Sequence, residues 1–217
     1  MIQIHDNLFD PAEITAASQD WPSSDWEHWI RYDSSFEKGK LTCEDWKVIP
    51  QSSALLLCRL LSLSKEIIGC ELVPDGSLRG GGMQCMTDGG RLDIHFDSSH
   101  HGLNGWQRRL NAILFLQDWN SEWGGAFELW NKSLASPNLL VYPSKGRLLI
   151  FETSNKTPHG VSRPLSCPVE IVRQTLAVWW YTPDSYRARA EFLAFPDAKD
   201  PFASARLARA AKSAVSK

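Results

Sequence analysis

A chain of 217 residues with 43% hydrophobic and 22% charged side chains suffices for one globular domain with a buried core and a short appendage. Its formal net charge of -2 supplies no long-range attraction to nucleic acid or to an anionic membrane, so neither is expected as a partner. The five cysteines, Cys43, Cys58, Cys70, Cys85 and Cys167, are odd in number and form no Cys-x-x-Cys pair, which speaks against a disulfide framework or a thiolate zinc cluster and fits a reducing, cytoplasmic setting.

The opening residues, 1–6, lack a basic region followed by an apolar core, and the longest apolar run, 54–58, stops at Arg59, so neither an export signal nor a spanning helix is expected. Residues 1–50 carry Trp21, Trp26, Trp29 and Trp46 between turn signals such as Pro22-Ser23-Ser24, a pattern of short elements packed across something larger. Apolar residues at helical spacing predict a helix over 52–68, ended by Gly69. Gly80-Gly81-Gly82 and Gly89-Gly90 fit no phosphate-binding fingerprint and read as bends or bulges between strands. Strands are then predicted at 91–97, 110–117, 126–130, 139–141, 147–152 and 173–182, each rich in β-branched, aromatic or large aliphatic residues. The fold class is therefore mainly β with flanking helices, a sandwich or barrel with the preceding helix covering one sheet. After Pro183 the composition changes, and 203–212 combines high helix propensity with a meagre apolar stripe, the mark of a peripheral tail.

The chemistry concentrates in the strand run Arg91-Leu92-Asp93-Ile94-His95-Phe96-Asp97. Side chains of a strand alternate faces, so His95 and Asp97 share one face while Leu92, Ile94 and Phe96 share the other. A metal that must also bind a bidentate oxo-acid and dioxygen keeps three adjacent positions open, and two imidazoles with one carboxylate on one side are the matching protein ligands. A His-x-Asp pair alone arises readily by chance. His159, in Thr157-Pro158-His159-Gly160 just past the strand at 147–152, is the candidate third ligand, although a turn histidine in a loop is the plainer reading of that residue alone. Arg173 opens the last strand with Thr175 on the same face, a fork of parallel donors and a hydroxyl suited to a carboxylate. Arg147 and Arg163 compete with it for that role.

Leu78-Arg79-Gly80-Gly81-Gly82, Leu92–Asp97, Arg108-Arg109-Leu110-Asn111, Glu122-Trp123-Gly124-Gly125 and Thr157–Gly160 occur in this order, and together they resemble the 2-oxoglutarate and Fe(II)-dependent oxygenase superfamily in its prolyl-4-hydroxylase-like branch. The likeness spans residues 1–185. It implies a double-stranded β-helix, the cupin-like jelly-roll, as a core over 76–185, with packing elements over 1–75 and a helical tail at 186–217. It also implies His95, Asp97 and His159 as iron(II) ligands, Arg173 and Thr175 as the 2-oxoglutarate anchor, dioxygen as co-reactant and ascorbate as reductant. The activity implied is hydroxylation of an unactivated C–H bond with release of succinate and CO2, on a small-molecule or peptidyl substrate with proline, free or peptidyl, as the first candidate.

One departure stands out: where relatives commonly carry a cosubstrate-binding tyrosine, this chain has Phe115, which forgoes a hydrogen bond of roughly 0.5–1.5 kcal/mol. The loop 164–169 also separates His159 from Arg173. His100 and His101 read as loop residues, exposed or facing substrate, rather than as zinc ligands. Trp106, Trp119, Trp123 and Trp130 are the tryptophans expected at the cleft. Arg108-Arg109 read as solvated strand-entry residues, with contact to an acidic substrate group as the alternative. A zinc hydrolase or isomerase on the same barrel and a non-catalytic binding module are the competing function classes.

Overall fold

The computed structural model describes residues 1–130, 136–154 and 156–183; the tail expected at 186–217 lies outside them. In chain order the main elements are β1 (Ile2–His5), α1 (Pro11–Gln19), β2 (Ile30–Tyr32), β3 (Glu37–Cys43), α2 (Gln51–Leu61), α3 (Lys65–Ile68) and β4 (Val73–Pro74). Then follow β5 (Gly82–His95), β6 (Gln107–Phe115), β7 (Phe127–Trp130), β8 (Pro137–Val141), β9 (Leu148–Glu152), β10 (His159–Val161) and β11 (Arg173–Thr182). All strand pairs are antiparallel, in one eleven-stranded sheet whose path runs β1-β9-β6-β11-β5-β10-β7-β8, with β3 along β5, β2 on β3 and β4 on β11.

That sheet curls over on itself. Strands β7 and β9 are far apart along the path, yet the rings of Phe127 and Phe151 lie 4.8 Å apart, and Val141, Leu149 and Phe115 complete the apolar cluster around them. The result is the two-layered jelly-roll that the resemblance implied. Period-2 alternation divides the strands between two cores. Leu110, Ala112, Leu114, Leu176, Val178 and Trp180 face outward onto α1 and α2, while Arg173, Thr175 and Trp179 face the inner cleft. Leu56, Leu57 and Leu60 of α2 are fully buried on that outer face, each contributing about 1.5–3 kcal/mol by removal from water.

The expected helix over 52–68 is broken into two. Ser62 ends α2, its hydroxyl bonding back to Cys58 O at 2.8 Å, and Ser64 starts α3 from an extended backbone, φ -70° and ψ 160°, so the chain leaves the helix between two serines although the apolar spacing is continuous. Gly69 ends α3 in the left-handed region, φ 82°, as expected of a terminating glycine. Gly89-Gly90 lies inside β5 rather than between strands. There the pairing with β3 slips between Lys38 and Lys40, and β5 exchanges β11, its neighbour over the first half, for β10 over the second. The bulge is thus the corner at which β5 passes between layers. Loop 164–169 is pinned to that corner, with Leu165 N donating to Gly90 O and Gly89 N to Leu165 O, both at 2.9 Å.

Candidate metal centre

His95 is the last residue of β5 and His159 the first of β10, and the two are direct partners across the ladder. The alternative of a loop histidine is therefore replaced by a strand. Asp97 lies two residues past His95. Its Oδ1 stands 3.5 Å from His95 Nε2 and its Oδ2 3.5 Å from His159 Nε2, and one donor atom from each residue lies within 4.8 Å of the others. Both imidazoles are oriented alike: Nδ1 of His95 meets Asp93 O at 2.8 Å and Nδ1 of His159 meets Thr157 O at 2.9 Å. A carbonyl accepts only from N–H, so the proton sits on Nδ1 and each Nε2 presents a lone pair.

Register explains how these residues converge. Between β10 and β5 the pairs are His159↔His95 and Val161↔Leu92, so β5 carries one extra residue there. That bulge turns Leu92 onto the cleft side with His95, against the simple alternation expected for 91–97. Gly160 lies opposite it. A Cβ on Gly160 would stand 2.7 Å from Leu92 O and 2.9 Å from Asp93 O, so only glycine admits the bulge. On the other edge of β10, Glu128 is buried and accepts from Ser162 N, Ser162 Oγ and Trp130 Nε1, clamping β10 to β7 just past His159.

Burial pushes the His159 imidazole down to about 4; His95 and Arg108 add to this, while Asp97 and Thr157 O oppose it. Burial by itself raises the Asp97 carboxyl, but its neighbours His159, His95 and Arg108 outweigh it and hold Asp97 below the usual carboxylate range. Asp97 Oδ2 is buried and makes no hydrogen bond. Lone-pair imidazole nitrogens and an ionised carboxylate on one side of a cleft fit a divalent metal of the iron type.

The cleft is lined by His95, Asp97, His159, Arg173, Thr175 and Trp179, among others. Arg173 is buried, donates from Nε to Gly125 O at 2.8 Å, and sits 5.0 Å from the Phe115 ring. Burial pushes its guanidinium down to about 10, and no acid among the described residues opposes the shift. A buried cation without a counter-charge is a site for an anion. Thr175 Oγ1 donates to Gln84 O over 3.2 Å. Arg147 is taken by Asp6, Nε to Oδ1 at 2.8 Å and Nη2 to Oδ2 at 3.0 Å, and Arg163 is exposed, so neither competes.

Two expectations fail. His101 is neither exposed nor facing the cleft: its Nε2 lies 3.3 Å from Asp75 Oδ2, its Nδ1 accepts from Leu103 N at 3.2 Å, and its ring meets Tyr181 edge-on at 5.2 Å. It is a buried loop staple; His100 is half-buried, with Nδ1 2.8 Å from Ser99 Oγ. The four expected tryptophans do not line the cleft. Trp119 and Trp123 pack against the cluster of Met86, Val161 and Leu165, Trp130 bonds Glu128, Trp106 brackets the His101 loop, and the indole in the cleft is Trp179. Alternation along β11 from Arg173 through Thr175 would have found it. Asn111, buried with Oδ1 unbonded, also faces the cleft and carried no motif signal.

Residues 81–181 match the family described as the 2OG-Fe(II) oxygenase superfamily. No curated protein matches the chain in sequence. A prolyl-4-hydroxylase from Pseudomonas putida superposes with a TM-score of 0.58 at 16% identity, over 83% of this chain and 91% of its own. A prolyl hydroxylase from Trichoplax adhaerens, solved with a hypoxia inducible factor peptide fragment, gives 0.59 at 16%, over 83% of each chain. HygX from Streptomyces hygroscopicus, solved with nickel and 2-oxoglutarate bound, gives 0.55 at 17%, over 83% of this chain and 82% of its own. At these identities the likeness establishes a shared fold.

Proposed function

We propose that this chain, whose residues 81–181 match the 2OG-Fe(II) oxygenase superfamily, hydroxylates an unactivated C–H bond of proline, free or within a peptide, using iron(II), 2-oxoglutarate and dioxygen. The observation that carries this reading is the meeting, in one cleft, of the His95–Asp97–His159 donor set with the uncompensated Arg173 cation. In this reading His95, Asp97 and His159 hold the iron from one side, leaving the cleft side for cosubstrate and dioxygen. Bound iron with 2-oxoglutarate supplies the oxidant: one atom of dioxygen ends in succinate, formed with loss of CO2, and the other in the new hydroxyl.

Arg173 takes the distal carboxylate of 2-oxoglutarate, where exclusion of water strengthens the pair. Its Nε is already committed to Gly125 O, which aims the remaining guanidinium edge. Thr175 adds a bond by turning its hydroxyl from the long contact with Gln84 O. Phe115 presents only a ring face to Arg173, so the acid is held without the hydroxyl its relatives commonly supply. Ascorbate is the reductant in this reading, and the five free thiols fit a reducing, cytoplasmic setting. That two of the structural relatives are prolyl hydroxylases is what puts proline first among the candidates.

Succinate release with iron(II), 2-oxoglutarate and ascorbate, screened against proline peptides, free amino acids and saccharides, tests the proposal. A proline compound is expected to stimulate release, and His95→Ala to abolish it. Undiminished release by His95→Ala rules out the ligand assignment, and a saccharide response without a proline response rules out the substrate.

A further inference from the structure

Arg173 lies at the start of β11, whereas Arg108 pairs with Tyr181 near its end, so their backbones are separated by on the order of 25 Å of strand. One five-carbon diacid does not span both. Yet Arg108 stands at the edge of the same cleft, its Cζ 4.0 Å from the ring of Trp179, which lines that cleft together with the metal-site residues. A bulge brings it there. The β6–β11 register runs Trp180↔Leu110 and then Tyr181↔Arg108, which leaves Arg109 unpaired and exposed and turns Arg108 onto the inner face with Tyr181.

The guanidinium is held but not neutralised. Arg108 Nε donates to Tyr181 Oη at 3.1 Å, and Cζ lies 4.0 Å over the Trp179 ring, a stacked arrangement particular to arginine. Among the described residues Arg108 forms no ion pair with an acid, whereas Lys40, which also lines the cleft, lies 3.6 Å from Glu37. Its free edge points at Gly80, a cleft residue. The point at which a Gly80 side chain would begin is 3.9 Å from Arg108 Nη2 and 3.6 Å from Trp179 Nε1, with no other atom of the described residues within 4 Å beyond Gly80 and its two neighbours. Trp179 Nε1 is itself buried and without a hydrogen-bond partner. An arginine present only to keep Asp97 ionised would be expected to pair with Asp97; this one makes no such pair.

We propose that Arg108, braced by Trp179 and Tyr181, recognises a carboxylate on the substrate, seated against Gly80-Gly81. The proposal rests on the oxygenase reading above and narrows its substrate to acid-bearing compounds. Two sources supply that chemistry: the terminal carboxylate of a free or C-terminal residue, and the acidic side chain of a peptide neighbour.

Nickel-loaded protein is first titrated with 2-oxoglutarate and then, once saturated, with N-acetylproline, N-acetylprolinamide and N-acetyl-aspartyl-prolinamide, by calorimetry. At least one acid is expected to bind about tenfold more tightly than the plain amide. Preference for N-acetylproline assigns the terminal carboxylate, and preference for the aspartyl compound assigns the side chain. In Arg108→Gln the acid preference should fall to within about twofold, and Arg108→Lys should keep part of it, since charge survives without the fork. Should the Gln variant melt prematurely, the Lys variant decides. Equal affinity for acid and amide, binding of none of the three, or a preference undiminished in the variants overturns the proposal. Failure of 2-oxoglutarate itself to bind sinks the oxygenase reading instead.

Discussion

His159 is a ligand candidate because burial keeps it neutral, and the same burial makes the protein acid-sensitive. A histidine held down from 6.5 to about 4 binds fewer protons folded than unfolded between those values. Stability therefore falls as pH drops through that window and levels off below it. Asp97, held below its ordinary 3.8, extends the loss to still lower pH, since its contribution is present above that value and disappears as the carboxylate protonates. Urea midpoints of metal-free protein measured from pH 7 to pH 4 should decline steadily, and His159→Asn should flatten the part between 6.5 and 4; an identical decline in the variant would rule out His159 as its source. At this scale the sequence was legible wherever chemistry follows from strand parity. His95 with Asp97 and Arg173 with Thr175 share faces as alternation requires, and Trp179 obeys the same rule. Leu92 and Arg108 escape it, because each sits at a bulge and one extra residue reverses the parity. His101 escaped for another reason: Asp75, which buries it, lies on a distant loop that no local pattern connects to it.

Strand β10 is three residues long and begins with the candidate ligand His159, so its placement depends on what flanks it. Gly160→Ala forces a Cβ against the carbonyls of Leu92 and Asp93. The expected result is a stability loss of about 1–3 kcal/mol together with at least tenfold weaker nickel binding. Calorimetric titration of the variant checks this, and unchanged affinity would show that the β5 bulge does not position His159. A different element separates stability from the site. Leu57→Ala, in α2 on the outer face of the sheet, should cost about 2–5 kcal/mol while leaving metal affinity within about twofold, as read by urea denaturation and the same titration. Long apolar strands such as β6, β9 and β11 could be read from composition within a few residues of their bounds. The short strands β2, β4 and β10 could not, since three residues or fewer carry no periodicity and exist only through their partners. The break between α2 and α3 was likewise hidden, because it falls between two serines while the apolar spacing runs through.

For the whole molecule, the two layers meet where the metal residues are: Phe127 and Phe151 join β7 to β9 across the interior, and both rings also touch His159, at 5.4 and 4.6 Å. Closure of the jelly-roll and order at the ligand are thus one event. Phe151→Ala should cost about 3–5 kcal/mol and weaken nickel binding with it, whereas saturating nickel at about 100 times its dissociation constant should stabilise the wild type by roughly 2.7 kcal/mol. Thermal melts with and without nickel test both, and a Phe151→Ala protein that gains as much from nickel as the wild type does would separate closure from ligand order. The matching hydrogen bonds of the two imidazoles, each to the carbonyl two residues upstream, bear on the history of such a protein. Each imidazole is aimed by a hydrogen bond to its own stretch of main chain, and neither bond uses a side chain of the cleft wall. Wall residues away from the Phe127–Phe151 pair, such as Thr175 and Trp179, can therefore change while these two bonds persist, which lets new specificities arise around an unaltered donor set.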